Sequence, residues 1–255
     1  MRKIMTTIAL VVTTLGYIQA QEFKLAKSTG RLEIKEVNNV DIEGYSGNEI
    51  IFTSRSGKRD ADDRAKGLRA INALGLEDNT GLGLSVVDKN GVIEVQQMKR
   101  MDGPDITIKV PKGVTVSYTH TSPHGSEVNI KDVEGEIEIS TVHNGINLTN
   151  VTGPMTINTV HGNIEGSLSA NLKNPISIVS VHGHVDLALP TTVKASVKMS
   201  TVYGEIFVDP EFKVDATTAG GLNKYSSDTV TAKINGGGVD ITLSSTHNNV
   251  YLRKK

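Results

Sequence analysis

Apolar and polar residues alternate with a period of two along most of the chain, which is the pattern of half-buried β-strands. Residues 30–54, "GRLEIKEVNNVDIEGYSGNEIIFTS", alternate in this way. Residues 105–120 do the same, beginning with Ile106, Ile108 and Val110. We therefore expect an all-β protein built from short strands.

One stretch interrupts the strands and one short turn connects two of them. Residues 55–84 are charged and then rich in Ala, Leu and Gly, so we expect a loop insertion that carries at most a short helix. Asn90-Gly91 lies between two strand-like runs and favours a two-residue hairpin turn. A solvated surface is predicted for the charged residues of the insertion, which are Lys58, Arg59, Asp60, Asp62, Asp63 and Arg64.

A short motif recurs five times in the second half of the chain. Each copy has a ring residue followed by Gly or Asn, and the rings are spaced by 18, 21, 21 and 44 residues. They belong to His143, His161, His182, Tyr203 and His247. Tyr225 halves the last interval in poorly matching surroundings, so one coil is expected to be distorted, and His124 lies one spacing before the first ring. A repeat of this length predicts a β-solenoid with coils of about 18–22 residues.

Alternation within each repeat predicts which side chains face the core. In "STVHNGINL" it places Val142, Ile146 and Leu148 inside and His143 outside. The equivalent core positions are Val160, Ile164, Val181, Val185, Leu187, Val202, Ile206 and Val208. A second apolar pair precedes each motif: Ile137 and Ile139, Met155 and Ile157, Ile176 and Ile178, Val197 and Met199, and Ile241 and Leu243. Because the residue after each ring is Gly or Asn, which enter the left-handed backbone region readily, we expect a corner there.

The outward rings are expected to stack along one edge, because neighbouring coils of a solenoid lie about 4.8 Å apart. A parallel row of hydroxyl groups is expected beside them, from Thr141, Thr159, Ser180, Thr201 and Ser245. Stacking alone explains why the ring recurs.

The alternative is a site for Zn²⁺, Cu²⁺ or Ni²⁺, because imidazole is a ligand of all three ions. Its candidate ligands are His143, His161, His182, His184 and His247, with His182 and His184 as the preferred pair. No carboxylate is in register to complete such a site, and Tyr203 interrupts the column. We therefore predict no metal site and no cofactor.

Composition and the first residues indicate where the protein acts. The formal net charge is −1 and the sequence pI is about 6.7, which gives no overall attraction to nucleic acid or to an anionic membrane. The absence of cysteine excludes disulfides and lipid attachment through cysteine. Residues 1–20 have a basic start, the apolar run "IALVV" and a terminal Ala20, which predicts a signal peptide. A single solenoid domain, residues 21–255, would then be exported to the periplasm or the cell surface, without a transmembrane segment.

The stretch "DVEGEIEISTVHNGINLTNVTGPMTINTVHGNIEG" resembles the bacterial putative-adhesin family of unknown function, whose members are related to head-GIN adhesin-like domains. "EDNTGLGLSV", "DITIKVPKGVTV" and the terminal "NNVYLRKK" also look like exported proteins of the Bacteroidetes type. The resemblance extends over residues 32–255. It implies a right-handed parallel β-helix and supplies no catalytic residues.

An enzyme remains an alternative, because right-handed β-helices include polysaccharide lyases and hydrolases. Arg253 is the single arginine in the last three-fifths of the chain, so a lyase would lack its usual guanidinium. Glu136 shares a polar face with Glu138, and His184 with Asp186, but alternation on an exposed strand explains both pairs. No Gly-x-Ser-x-Gly, His-Glu-x-x-His or phosphate loop is present.

The sequence therefore favours a non-enzymatic structural or adhesion-type binding module of the cell envelope. Its expected partner is an envelope or extracellular ligand, a protein or a glycan, and copies could also associate end to end. The alternatives are a carbohydrate-active β-helix enzyme and an envelope metal-binding protein that uses the histidines.

We predict cleavage after Ala20, which leaves Gln21 as the mature N-terminus, because Ala20 is a small residue that follows the apolar run and precedes a polar chain. Intact-mass measurement on envelope fractions checks this. Finding Met1 retained on cytosolic protein would contradict it.

Overall fold

The computed structural model describes residues 22–55, 63–173, 175–212 and 228–255. In these residues the chain forms twenty β-strands and one short 3-10 helix, Asp63–Ala65. The strands are β1 (Glu22–Leu25), β2 (Thr29–Lys35), β3 (Asn39–Tyr45), β4 (Ile50–Ser54), β5 (Leu84–Lys89), β6 (Val92–Gln97), β7 (Asp105–Pro111), β8 (Gly113–His120), β9 (Val128–Lys131), β10 (Ile137–Thr141), β11 (Ile146–Val151), β12 (Met155–Thr159), β13 (Ile164–Leu168), β14 (Ile176–Ser180), β15 (Val185–Leu189), β16 (Ala195–Thr201), β17 (Ile206–Val208), β18 (Asp228–Ile234), β19 (Val239–Ser245) and β20 (Val250–Lys254).

The described strands form two ten-stranded sheets. Sheet A has the order β1-β4-β7-β3-β9-β11-β13-β15-β20-β17, and sheet B has the order β5-β6-β2-β8-β10-β12-β14-β19-β16-β18. Central neighbours pair in parallel, with Ile137 opposite Met155 and Met155 opposite Ile176, so one coil takes 18 residues and the next takes 21. The predicted fold class is confirmed: the protein is all-β and solenoid-like.

The spatial order of the coils departs from the chain order at both ends. A coil is one strand of sheet B followed by one of sheet A, and the first coil, β2–β3, lies between β6–β7 and β8–β9. The last coil, β19–β20, lies between β14–β15 and β16–β17. Both terminal coils therefore have a hydrogen-bonded neighbour on each side, which protects segments that would otherwise form open sheet edges. Antiparallel strands then flank the stack: β5 pairs with β6, β4 with β7 and β18 with β16.

The inward side chains of both sheets form one hydrophobic core. The predicted apolar pairs are buried, as are Ile146, Leu148, Ile164, Val185 and Leu187. The prediction is wrong for the valines before the rings, because Val142, Val160 and Val181 are half-buried and Val202 is 48% exposed. Ile206 and Val208, on the short strand β17, are also half-buried.

The core prediction fails for these valines because the alternation of inward and outward side chains stops at the corner. On β10 it runs through Ile137, Ile139 and Thr141, so Thr141 points inward and Val142 lies beyond the strand. The alternation begins again at Ile146, after the turn. The hydroxyl row, and not the valines, therefore lines the core at this corner.

The hairpin predicted at Asn90-Gly91 is confirmed. β5 and β6 pair antiparallel, and both turn residues have positive φ, 54° and 88°. In the insertion, the described part contains the 3-10 helix and an isolated bridge between Ile71 and Glu77.

Several expectations lie outside the described residues. They are the signal peptide at residues 1–20, the charged positions Lys58, Arg59, Asp60 and Asp62, and the coil around Tyr225. In the described part of the chain, no helix is long and apolar enough to cross a membrane.

Candidate functional site

A row of buried hydroxyl groups lines the corner where each sheet B strand ends. In spatial order this hydroxyl row is Thr141, Thr159, Ser180, Ser245 and Thr201, and each is at most 3% exposed. The Ser180 hydroxyl accepts the Gly183 N–H at 2.9 Å and donates to the Gly162 carbonyl of the preceding coil at 2.9 Å. Ser245 repeats this with the Asn248 N–H at 3.0 Å and the Gly183 carbonyl at 2.8 Å. Thr159 and Thr201 make the same two kinds of contact, so four of the five hydroxyls close their own corner and join it to the neighbouring coil. Thr141 instead donates to the Asn144 carbonyl of its own corner at 3.0 Å.

The glycines after the rings are needed for close approach between coils. A Cβ on Gly162 would lie 1.9 Å from the Asn144 carbonyl oxygen, and one on Gly183 would lie 2.0 Å from the Gly162 oxygen. The expected left-handed backbone is wrong, because none of the residues that follow the rings has a φ in that region. These residues are Asn144, Gly162, Gly183, Gly204 and Asn248. At Gly162, Gly183 and Gly204 the backbone packing of coil on coil, and not the turn, excludes a side chain.

His120 takes the place of a hydroxyl in the coil β8–β9. It lies opposite Thr141 and is fully buried, and its Nε2 donates to Asn38 Oδ1 at 3.0 Å. The Asn38 amide is oriented by donating to the Arg100 and Met101 carbonyls at 3.1 and 3.2 Å. Asn38 Oδ1 is therefore an acceptor, which places a proton on His120 Nε2. Burial lowers the pKa of His120, although the Glu36 carboxylate opposes this shift.

The sequence contains a signal for His120, the alternation along β8, although His120 is not part of the repeated ring motif. The residue ends a run in which Val114, Val116 and Tyr118 all face inward, so the same alternation points His120 into the core. The spacing had instead suggested His124, which is half-buried in the loop between β8 and β9. No stacking of His124 on His143 is found in the described residues.

The predicted column of stacked rings is present, in a different order. This ring column consists of His143, His161, His182, His247 and Tyr203. Successive centroids are 5.4, 4.8, 4.6 and 4.9 Å apart, and the ring planes differ by 7–13°. Tyr203 does not interrupt the histidines, because the coil β19–β20 inserts His247 between His182 and Tyr203. Among the described residues the phenol is the last ring in the stack.

The parallel rings are poorly placed to chelate an ion. Ring nitrogen lone pairs lie in the ring planes, so in parallel rings they point side by side and do not converge. A Zn–N bond is about 2.0–2.1 Å long, which requires two ligand nitrogens to approach a common point. In the described ranges no group of three or more His, Cys, Asp or Glu side chains is close enough to hold a metal. Desolvation, followed by the charges of His247 and His161, lowers the pKa of His182, which favours the neutral form of this ring.

His184 belongs to a different surface from His182. Its Nε2 lies 2.8 Å from Glu165 Oε1, and its ring meets Tyr251 edge to face with centroids 6.2 Å apart. The ligand pair preferred from the sequence, His182 with His184, is thus divided between the ring column and the outer face of sheet A.

The outer face of sheet A is held together by side-chain pairs between coils, which the sequence did not reveal. Arg253 donates to both Asp186 oxygens at 2.6 and 2.7 Å and lies 5.2 Å from the centre of the Tyr251 ring. Tyr251 also stacks on Phe207 with centroids 5.1 Å apart. The single arginine of the C-terminal region therefore serves a structural contact.

These observations define a β-solenoid whose repeated side chains stack or pair between coils. The chain belongs to the Toastrack DUF4097 family, whose model matches residues 12–250. This confirms the family predicted from the sequence, one of adhesin-like proteins of unknown function. No curated protein matches the sequence.

Two crystal structures are similar to this chain at 12% sequence identity. A putative cell adhesion protein from Clostridium sporogenes has a TM-score of 0.45, over 93% of this chain and 100% of that chain. A putative adhesin from Bacteroides fragilis has a TM-score of 0.34, over 92% of this chain and 97% of that chain. Similarities of this size carry no weight for the function.

Removing one hydroxyl of the row should destabilise the protein. Ser180→Ala leaves the Gly183 N–H and the Gly162 carbonyl without their partner, so we expect the free energy of unfolding to fall by about 1–3 kcal/mol. Ser177→Ala is the matched control on the same strand, with an outward side chain, and should change it by less than about 0.5 kcal/mol. Urea unfolding measures both, and equal effects would show that the hydroxyl row is not stabilising.

Replacing a central ring of the column tests stacking against metal binding. His161→Tyr should leave the melting temperature almost unchanged, because Tyr203 already stacks on His247 at 4.9 Å. His161→Ala, which removes the ring, should lower it more. Elemental analysis should find no stoichiometric Zn, Cu or Ni in the wild type. Stoichiometric metal that is lost in His161→Tyr or His182→Tyr would refute the stacking interpretation.

The buried His120 should make stability fall on acidification. Its pKa is lowered in the folded state, so between about pH 6.5 and this lower pKa the unfolded chain binds more protons than the folded one. Stability contributed by the neutral ring is therefore complete above about pH 6.5 and decreases below it, by at most about 1.4 kcal/mol per pH unit.

Two measurements check this prediction. The free energy of unfolding of His120→Gln should depend less on pH between about 6.5 and 5 than that of the wild type. NMR titration of the wild-type ring should give a pKa below the ordinary value, and a value at or above it would contradict the prediction even if the variant does not fold.

Proposed function

We propose that this protein is a non-enzymatic, exported β-solenoid that acts as a structural or adhesion-type binding module of the cell envelope. The observation that carries the proposal is the use of its charged and ring side chains as contacts between coils. In the part of the chain that the structure describes, they are paired along the solenoid and do not converge on a reaction centre. The predicted signal peptide supports export to the periplasm or the cell surface.

The carboxyl groups argue against a glycoside hydrolase. Such an enzyme needs a carboxylic acid with a raised pKa to protonate the leaving group. Glu138, which the sequence places on one polar face with Glu136, accepts two hydrogen bonds from Arg31 at 2.9 and 2.6 Å, and this contact lowers its pKa. Hydrogen bonds from Lys35 and Arg31 likewise lower the pKa of Glu33. Both groups are ionised at neutral pH and cannot serve as the acid.

The coil β16–β17, whose strand β17 ends the order of sheet A in the described residues, presents a surface for association with other molecules. Val202, Tyr203 and Phe207 are 48%, 73% and 44% exposed, which places three large apolar side chains on β16–β17 and its connection. Exposed apolar patches are typical of interaction sites. We include end-to-end association of copies through this coil in the proposal.

The proposal is tested on purified residues 21–255. We expect saturable binding to envelope fractions of the producing bacterium, above the level of an unrelated exported protein of similar size. Incubation with a panel of polysaccharides should release no new reducing ends and no unsaturated uronate absorbance. Sedimentation of the wild type and of the double variant Tyr203→Ser/Phe207→Ser at increasing protein concentration measures self-association. Catalytic turnover, or no binding either to envelope components or between copies, would refute the proposal.

A further inference from the structure

The two outer faces of the solenoid differ in how their polar side chains are used. On sheet A they bond to one another from coil to coil. Asn147 Nδ2, for example, donates to Asn129 Oδ1 at 3.1 Å and to Glu127 at 2.9 Å, and Arg253 is paired with Asp186. The hydrogen-bonding capacity of this face is therefore largely taken up within the protein.

The central strands of sheet B present hydroxyl and amide groups that are free. In the part of the chain that the structure describes, these side chains make no hydrogen bond to the protein, and their positions alternate with buried residues. They are Ser117 and Thr119 on β8, Ser140 on β10, Thr156 and Asn158 on β12, Ser177 on β14 and Thr242 on β19. This set is called the free polar face. It can offer donors and acceptors to a ligand without breaking an existing contact.

Two grooves lie on the outer side of sheet B. One, of about 440 Å³, crosses β2, β8, β10 and β12 and includes Thr119, Thr156 and Asn158. The other, of about 500 Å³, crosses β19, β16 and β18 and includes Thr242 and Lys198. The free polar face connects the two grooves through β14. A long ligand could therefore follow the solenoid axis from one groove to the other.

Charge and side-chain type limit the kind of ligand. At the first groove the Arg31 guanidinium is occupied by Glu138 and Glu33, so its charge is compensated. On β12 and β14 the outward residues of this face carry no charge. On β10 the outward Glu138, opposite Thr156, is the partner of Arg31, and on β19 the outward Asp240 lies beside Thr242 in the second groove. None of the large apolar residues that are exposed in the described ranges lies on it, whereas the core of a protein interface is typically rich in aromatic residues, Met and Arg. An uncharged polymer with many hydroxyl groups fits this surface better than a protein.

We propose that the free polar face binds a neutral polysaccharide chain lying along the solenoid axis. Neighbouring strands repeat the donors and acceptors about every 4.8 Å, a distance comparable with the length of one sugar ring in an extended chain. Each strand contributes weak hydrogen bonds, so affinity arises from several coils acting on one chain. The inference rests on the proposed binding function and names its site and ligand class.

The experiment uses residues 21–255 and soluble oligosaccharides as probes. Isothermal titration calorimetry with neutral β-linked glucose and N-acetylglucosamine hexasaccharides is compared with the matching disaccharides and with hexagalacturonate. We expect one of the neutral hexasaccharides to bind at least tenfold more tightly than both its disaccharide and hexagalacturonate. If neither neutral hexasaccharide binds at millimolar concentration, or if hexagalacturonate binds best, the inference is wrong.

Two double variants locate the binding surface. Thr156→Ala/Asn158→Ala removes free polar groups from β12 and should weaken hexasaccharide binding about tenfold, because each hydrogen bond contributes modestly. Thr149→Ala/Ser167→Ala is the matched control, since these side chains are opposite each other on the outer face of sheet A. The control should bind within about twofold of the wild type. Equal losses in both variants, or none in the first, would refute the assignment of the face.

The same variants separate this inference from the proposed function. If Thr156→Ala/Asn158→Ala binds envelope fractions as the wild type does, the binding module stands and its ligand lies on another surface. If the wild type binds neither envelope components nor its own copies, the proposed function itself fails. Unchanged circular dichroism and melting temperature in both variants show that the fold is retained.

Discussion

The structure depends on the hydrogen bonds of the buried hydroxyl row. At each corner the chain leaves sheet B and enters sheet A, and the strand ladder no longer pairs all of its backbone groups. The Ser180 hydroxyl supplies both missing partners. It accepts an N–H of its own coil and donates to a carbonyl of the coil before. A buried backbone group left without a partner costs about 1–3 kcal/mol, so a small inward hydroxyl is required wherever the corner repeats. At the equivalent position His120 places an imidazole, whose Nε2 donates to the Asn38 side chain where the coil β2–β3 approaches.

The other repeated features follow from this constraint. The hydroxyl bonds bring neighbouring corners so close that Gly183 has no room for a Cβ. Two residues after each hydroxyl a side chain points outward. It lies directly beside the equivalent side chain of the next coil. A flat ring there covers the backbone and stacks at the coil spacing, as His161 and His182 do at 4.8 Å. The histidine therefore recurs because the architecture recurs, and a phenol at Tyr203 fills the position equally well.

The same architecture separates the surfaces on which function can act. The ring column and the outer face of sheet A are occupied by contacts between coils, as at Arg253 and Asp186. The outer face of sheet B keeps unpaired hydroxyl and amide groups over several strands. In a solenoid this difference is possible because outward residues do not determine the core, so each face can be optimised separately for stability or for a ligand.

The sequence alone determined the local structure. Period-2 alternation identified the strands and the inward pairs such as Ile176 and Ile178, the Asn90-Gly91 dipeptide identified the hairpin, and the repeat length identified the solenoid and its stacked rings. The strands and the hairpin leave a pattern within a few residues, and the solenoid leaves a motif that recurs about once per coil. The prediction from alternation failed at the corners because the chain changes direction there. As a result Thr141, and not Val142, points into the core.

Only the tertiary structure decided the order of the coils and the partners of the polar side chains. The insertion of β19–β20 between two earlier coils placed His247 next to His182, although the repeat spacing had put Tyr203 there. The pairing of Arg253 with Asp186 and of His120 with Asn38 also joins residues far apart in the chain. Because the coils are similar, many orders of stacking give nearly equal contacts between neighbouring strands. The choice among them therefore depends on long-range packing and leaves no periodic signal in the sequence.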